Sequence, residues 1–259
     1  MKTQLDIIKI GGNLIDDESS LTNFLNHFSA NKTLKILVHG GGRSATQLSE
    51  RLGIKTQMLE GRRITNEEDL EVVTMVYAGL INKKIVAELQ HYGCNAIGLS
   101  GCDMNSILAK KRHHPYIDFG FVGDIEKVNV SNIDLLLKNG FCPVFSAITH
   151  DGRGQLLNTN ADTVAAQLAI SFSETYNVRL LYCFEKNGVL SNPEDDFSVI
   201  PFLDKDLYQE LKTAGAISKG MIPKLDNCFE ALVMGVSEIN IGGSGMMNPI
   251  AFNFTKLSL

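Results

Sequence analysis

No stretch of this 259-residue chain approaches the roughly 20 consecutive apolar residues that a membrane helix needs, so no membrane partner is expected. The start, Met1-Lys2-Thr3-Gln4-Leu5-Asp6-Ile7, puts an acid where a secretion signal is apolar. There is no long block of like charge, and the net charge is −5. A nucleic-acid partner is therefore not expected, because backbone phosphates call for a basic face. The short basic run Lys110-Lys111-Arg112-His113-His114 is the exception, and a solvated strand end or loop is its ordinary reading. The five cysteines, Cys94, Cys102, Cys142, Cys183 and Cys228, are scattered, odd in number and without a Cys-x-x-Cys pair. That excludes a disulfide framework and points to buried, reduced thiols in a cytoplasmic protein. The six histidines lack ligand spacing, so no metal-ligating residues are expected. No Gly-x-x-x-x-Gly-Lys-Ser/Thr occurs, and no Gly-x-Gly-x-x-Gly follows the first strand, so P-loop and dinucleotide folds are not supported. Internal repeats, low-complexity tracts and long linkers are also missing.

What is present is a 44% apolar, 20% charged chain, enough for one large α/β domain or two lobes sharing a sheet. Short apolar runs at Leu5–Ile10, Leu34–Val38, Ala96–Leu99, Cys142–Ala147, Arg179–Cys183 and Glu238–Ile241 read as strands, the last closing the series. Between them, Ser44–Leu52, Asn66–Tyr92, Ile133–Leu137, Ala161–Phe172, Asp206–Thr213 and Met221–Met234 read as helices. Thr65 with Glu68 has capping-box spacing for the longest of these, and Gly93 is a stop. The alternation predicts an α/β, three-layer αβα sandwich around a mainly parallel central sheet. Two segments break the rule, about 55–64 and about 109–124, and read as hairpins over the first lobe.

Two glycine turns carry the chemistry. Ile7-Ile8-Lys9-Ile10-Gly11-Gly12 and Ile36-Leu37-Val38-His39-Gly40-Gly41-Gly42 each read as a buried strand emptying into a bare loop before a helix. Such amides form anion sites, and Lys9 beside them points to phosphate handling rather than tight packing alone. Arg62 or Arg63 could grip a carboxylate with two parallel hydrogen bonds, or could be a surface arginine of a hairpin. In Asn158-Thr159-Asn160-Ala161-Asp162, Asn160 or Thr159 would cap the following helix and Asp162 would favour its dipole. Asn158 could equally serve a polar ligand, and Asp162 could fix two lysines. Lys219-Gly220-Met221-Ile222-Pro223-Lys224 puts lysines at another helix start.

Taken in order, these segments resemble the amino-acid kinase family, and within it the branch acting on N-acylated glutamate. The match runs through Lys9–Gly12, His39–Gly42, Gly61–Thr65, Gly98–Asp103, Phe121–Asn129, Leu157–Asp162 and Gly220–Lys224, roughly residues 5–235. The resemblance implies ATP-dependent phosphorylation of the side-chain carboxylate of N-acetyl-L-glutamate to the acyl phosphate, in arginine biosynthesis. It implies Lys9 and Lys224 as transition-state lysines and Asp162 as the residue orienting them. Gly41 and Gly42 would bind substrate through backbone amides, and Arg63 and Asn158 would hold its carboxylate and acylamino group. Gly11, Gly12 and Gly188 would serve phosphate and nucleotide, with Mg2+ held mainly by the ATP phosphates. It also implies an N-terminal lobe over about residues 1–177 and a nucleotide lobe over about 178–259.

Departures from the pattern are Arg43, where the family often has proline, one extra residue in Cys183–Gly188, and a divergent tail after Gly242. The chain begins almost at its first strand, from which a homodimer without arginine feedback is expected. Two alternatives stand beside this reading. One is an N-succinylglutamate kinase, with Arg43 or Lys110–Arg112 answering the extra acid. The other is a non-catalytic acylglutamate or arginine sensor on the same fold.

Overall fold

The computed structural model describes residues 2–59, 62–192, 194–217, 221–247 and 253–259. Of the sequence motifs, Gly61, the Arg62 side chain, Lys219, Gly220, Asn248 and Pro249 fall outside the described residues.

The strands are β1 (Gln4–Ile10), β2 (Leu34–His39), β3 (Gln57–Leu59), β4 (Arg62–Ile64), β5 (Ala96–Leu99), β6 (Ile107–Lys111) and β7 (Gly123–Val128). They continue with β8 (Cys142–Ser146), β9 (Ile148–His150), β10 (Leu156–Asn158), β11 (Asn177–Cys183), β12 (Phe202–Leu203), β13 (Glu238–Gly242) and β14 (Phe254–Leu257). The helices are α1 (Gly12–Asp16), α2 (Glu18–Ala30), α3 (Ser44–Arg51), α4 (Glu67–Val73), α5 (Asn82–His91), α6 (Val130–Lys138), α7 (Ala161–Ser173), α8 (Lys205–Thr213) and α9 (Ile222–Val233).

Eight strands form the main sheet in the order β12-β14-β13-β11-β1-β2-β8-β5, parallel apart from the antiparallel pair β13–β14. The expected three-layer sandwich follows from β1. Leu5 and Ile7 join the core built with α7 and α9, and Ile8 and Ile10 join the opposite core with α2 and α5. A parallel strand covered on both faces reads as a continuous apolar run, the pattern seen in the sequence. β1 pairs residue for residue with both β2 and β11, so Ile10, His39 and Cys183 end side by side. The two glycine turns thus leave adjacent strand ends, at the edge where open α/β sheets bind ligands.

The hairpin expected at 55–64 is β3–β4. The one expected at 109–124 belongs to a four-stranded sheet, β10-β9-β6-β7, in which β9 and β10 are additional to the strands expected from the sequence. Glu238–Ile241 does not close the series, because β14 follows and pairs antiparallel with it. The helix expected over 66–92 is interrupted by a π-helical stretch, Thr74–Ile81, between α4 and α5. Its cap is Asn66, whose side chain accepts from the Asp69 N–H at 2.8 Å, and not Thr65.

Candidate active site

Lys9 shares the β1 face of Leu5 and Ile7, which looks onto α7. Its Nζ lies 2.7 Å from Asp162 Oδ1. Asp162 is held in the first turn of α7 because Asn160 caps that helix, accepting from the N–H groups of Asp162 at 2.8 Å and Thr163 at 3.2 Å. The Tyr182 hydroxyl of neighbouring β11 donates to the Asp162 carbonyl at 3.1 Å. From the first turn of α9, Lys224 places its Nζ 3.8 Å from Asp162 Oδ2 and over the Phe184 ring at 5.3 Å. Two lysines 215 positions apart in sequence (224 − 9) therefore face one carboxylate in one narrow cavity, shared with Cys183 and Ile241. Burial pushes the Asp162 carboxyl up, but the attraction of Lys9 and then Lys224 outweighs it and holds the group below its ordinary value. The carboxylate stays ionised and fixes both ammonium groups.

A second cavity, about 250 Å³, adjoins the start of α7. Gly40–Gly42, Thr46, Met58, Arg63, Tyr77, Arg112, Val122 and Asn158–Ala161 line it. The cavities are neighbours, because Asp162 follows Ala161 and because the glycine turns touch. A Cβ on Gly12 would stand 2.6 Å from Gly42 Cα, and one on Gly41 would stand 1.5 Å from the Tyr77 ring. Gly11 gives its N–H to the Cys183 carbonyl at 3.0 Å. The N–H groups of Gly12, Gly41 and Gly42 find no acceptor among the described residues.

Of the two arginines, the Arg62 side chain lies outside the described residues, and Arg63 turns inward. Its Nη1 donates to Thr56 at 2.7 Å and to Asp69 at 3.0 Å, and its Nη2 to Thr46 at 2.9 Å. Asn158 Nδ2 donates to Thr65 Oγ1 at 2.9 Å, which leaves its carbonyl oxygen for a ligand. Gly188 lines neither cavity. A Cβ there would meet Val199 at 2.6 Å and Thr255 at 2.7 Å, which is a packing requirement. Of the buried thiols expected, Cys94, Cys142, Cys183 and Cys228 are buried and Cys102 is exposed. Among the described residues no three His, Cys, Asp or Glu converge as a metal site, and no helix is long and apolar enough to cross a membrane.

The amino acid kinase family model matches residues 5–243. The chain belongs to the amino acid kinase family. This amino acid kinase is 51% identical over 248 residues to an acetylglutamate kinase of Phocaeicola vulgatus, covering 96% of each chain. It is 55% identical over 239 residues to one of Cytophaga hutchinsonii, covering 92% of this chain and 90% of that one. An N-acetylglutamate synthase of Neisseria gonorrhoeae, solved with coenzyme A and N-acetyl-glutamate, shares the fold at a TM-score of 0.81 and 18% identity, covering 99% of this chain and 59% of that one. A carbamate kinase of Giardia lamblia bound to AMP-PNP shares it at 0.70 and 11%, covering 98% of each.

Several residues of the candidate site carry no mark in the sequence. Thr46, Thr56 and Asp69 fix the Arg63 fork, and Tyr77 enters the cavity from the π-helical stretch. Lys110 and Lys111 of the basic run are exposed, as a solvated strand end requires. Arg112 departs from it. Its N–H donates to the Val122 carbonyl, and Nε and Nη2 bind Asp124 Oδ1 at 3.0 and 2.6 Å, so the guanidinium turns into the cavity wall. Arg43 stays 74% exposed beside Asp16.

Proposed function

We infer that this chain phosphorylates the side-chain carboxylate of N-acetyl-L-glutamate with ATP, yielding N-acetyl-L-glutamyl 5-phosphate and ADP in arginine biosynthesis. One observation carries the reading: the Lys9–Asp162–Lys224 cluster stands directly beside a pocket furnished with Arg63, Asn158 and free glycine amides. Glutamate-like carboxyls have a pKa of about 4.3, so the nucleophile is already ionised at neutral pH and no base is required. A carboxylate oxygen attacks the γ-phosphorus, the bond to the bridging oxygen breaks, and ADP leaves with that electron pair. The difficulty is repulsion between two anions and the charge gathering on the moving phosphoryl group.

In this reading Lys9 and Lys224 neutralise that charge and Asp162 keeps them in place. Gly41 and Gly42 present N–H groups to the substrate, Arg63 takes its α-carboxylate, and Asn158 takes its acylamino group. Gly12 lines the phosphate path with an open N–H, and Gly11 contributes shape, since its own N–H is engaged by Cys183. Mg2+ would arrive on the ATP phosphates and screen their charge. The two ammonium groups at Asp162 support this, because their positive charge disfavours a further cation beside that carboxylate. The acylglutamate side falls in residues up to about 177 and the nucleotide side beyond them, without a ligand role for Gly188, whose close neighbours are Val199 and Thr255. A homodimer is supported by Met75 and Leu80, each 52% exposed on the π-helical stretch, which an apolar partner face would cover. A cytoplasmic setting is supported by the five unpaired thiols.

Arg112 favours a second reading, N-succinylglutamate, because a further guanidinium in the cavity could meet a further acid. Hydroxylamine converts acyl phosphates to hydroxamates and decides the matter. Protein with Mg-ATP and N-acetylglutamate is expected to give hydroxamate well above the glutamate and aspartate controls. A stronger signal with N-succinylglutamate would transfer the assignment to that acid. Background with every acid would leave the sensor reading.

A further inference from the structure

His39 ends β2, has no solvent exposure, and touches none of the groups assigned a role above. Its ring nevertheless lies in a fully determined hydrogen-bond chain. Nδ1 is 2.7 Å from the Gly40 carbonyl oxygen, which can accept and cannot donate. Nε2 is 3.0 Å from Asn82 Nδ2, and the same Nδ2 is 2.9 Å from the Val144 carbonyl. The Val144 oxygen requires the amide nitrogen, not the amide oxygen, to face it. The Asn82 amide is therefore oriented independently of the histidine, and it must donate to Nε2. Its Oδ1 meanwhile accepts from Lys83 Nζ at 3.2 Å. Two separate carbonyls thus demand one tautomer, with the proton on Nδ1 and a bare Nε2.

The peptide joining Gly40 and Gly41 is trans, as are all described bonds of the chain. In a trans peptide the C=O and N–H point in opposite directions. A Gly40 carbonyl held toward His39 therefore sends the Gly41 N–H away from the imidazole; Gly41 lines the 250 Å³ cavity, and its N–H has no acceptor among the described residues. Two glycines in a row have little conformational preference of their own, so something outside them must fix that peptide plane.

We propose that His39 is a positioning residue, whose Nδ1–H fixes the Gly40 carbonyl and so aims the Gly41 N–H at the acylglutamate, with Asn82 selecting the tautomer that does this. The idea rests on reading the cavity as the acylglutamate site. Its first test needs no ligand. Long-range proton–nitrogen NMR correlation on the 15N-labelled full chain at pH 7.5, with His39 assigned by its absence in His39→Asn, is expected to show a proton on Nδ1. A proton on Nε2 overturns the proposal.

The second test separates positioning from mere packing. An asparagine amide nitrogen occupies nearly the place of Nδ1, so His39→Asn keeps the donor to Gly40, whereas His39→Leu fills the space without one. Calorimetry is expected to show N-acetylglutamate affinity within about threefold of wild type for His39→Asn and weakened about tenfold for His39→Leu, the size of one directed hydrogen bond. AMP-PNP affinity is expected to be unchanged in both. Equal weakening in the two variants, or equal loss of both ligands, overturns the proposal. Wild-type protein that carries the Nδ1 proton yet binds no acylglutamate would fail the functional reading instead, and the role of His39 would fall with it.

Discussion

Asp162 stands where β1, α7 and α9 come within ion-pair reach of one another. Its ionised carboxylate keeps two like-charged ammonium groups close in a partly buried place, an arrangement neither lysine would adopt unaided. Removing any member should disable the set rather than subtract a share. Lys9→Ala and Asp162→Asn are each expected to lower turnover on the order of 10²-fold, and the double variant is expected to be little worse than the poorer single one. Steady-state kinetics on the three proteins would show this. A double variant worse by the product of the single effects would mean that Asp162 acts apart from Lys9.

At the scale of elements, the pocket is assembled by segments paired side by side rather than by any one of them. The Thr65 N–H donates to the Phe119 carbonyl, the Phe121 N–H to the Thr65 carbonyl, and the Asn158 N–H to the Phe121 carbonyl. Backbone bonds thus join Thr65, the 119–121 segment and Asn158, and the Thr65 hydroxyl adds the 2.9 Å contact to Asn158. Thr65→Val preserves shape and main-chain bonds while leaving an Asn158 N–H unpaired. The KM for the acylglutamate is expected to rise about fivefold to tenfold with the KM for ATP unchanged; equal rises in both would assign Thr65 to the fold alone.

The same residue shows where the sequence misleads. Thr65–Glu68 and Asn66–Asp69 both have capping spacing, one residue apart, and the second frame wins because the Thr65 hydroxyl is taken by a residue 93 positions away. Apolar runs and a lysine before a glycine turn announced β1, β2, β11 and Lys9, since burial on both faces leaves a local mark. The helix start bearing Asp162 was legible for a similar reason. β9, β10, β12 and β14, of two to four residues, leave no such mark. Nor does the π-helical stretch that brings Tyr77 to Gly41, because a 3.6-residue period read over 66–92 does not reveal eight residues of wider winding. Arg112 was visible as charge, but its inward turn depends on Asp124 across a hairpin.

For the molecule as a whole, the central sheet carries a neutral imidazole in its interior, and that links folding to pH. Burial lowers the His39 pKa from 6.5 to about 4, against a smaller opposing contribution from its bond to Gly40. In the unfolded chain the ring titrates near its ordinary value. Between pH 6.5 and 4 the unfolded state therefore binds a proton that the folded state refuses, and stability falls as pH falls. The contribution is absent above that window, reaches about 2 kcal/mol at pH 5, and approaches about 3 kcal/mol near pH 4. Asp162 works in a lower window. Its folded carboxyl is held below the ordinary 3.8, so the stability it confers is complete above that value and is lost as pH falls through the folded one. The other carboxylates that titrate on acidification are common to wild type and to His39→Asn, so the comparison isolates the imidazole. Urea unfolding of both at pH 7 and pH 5 should show the stability difference shifting by about 2 kcal/mol in favour of the variant at the lower pH. A constant difference across that range would mean that the ring titrates alike in both states, and the buried, unprotonated Nε2 facing Asn82 could not then be correct.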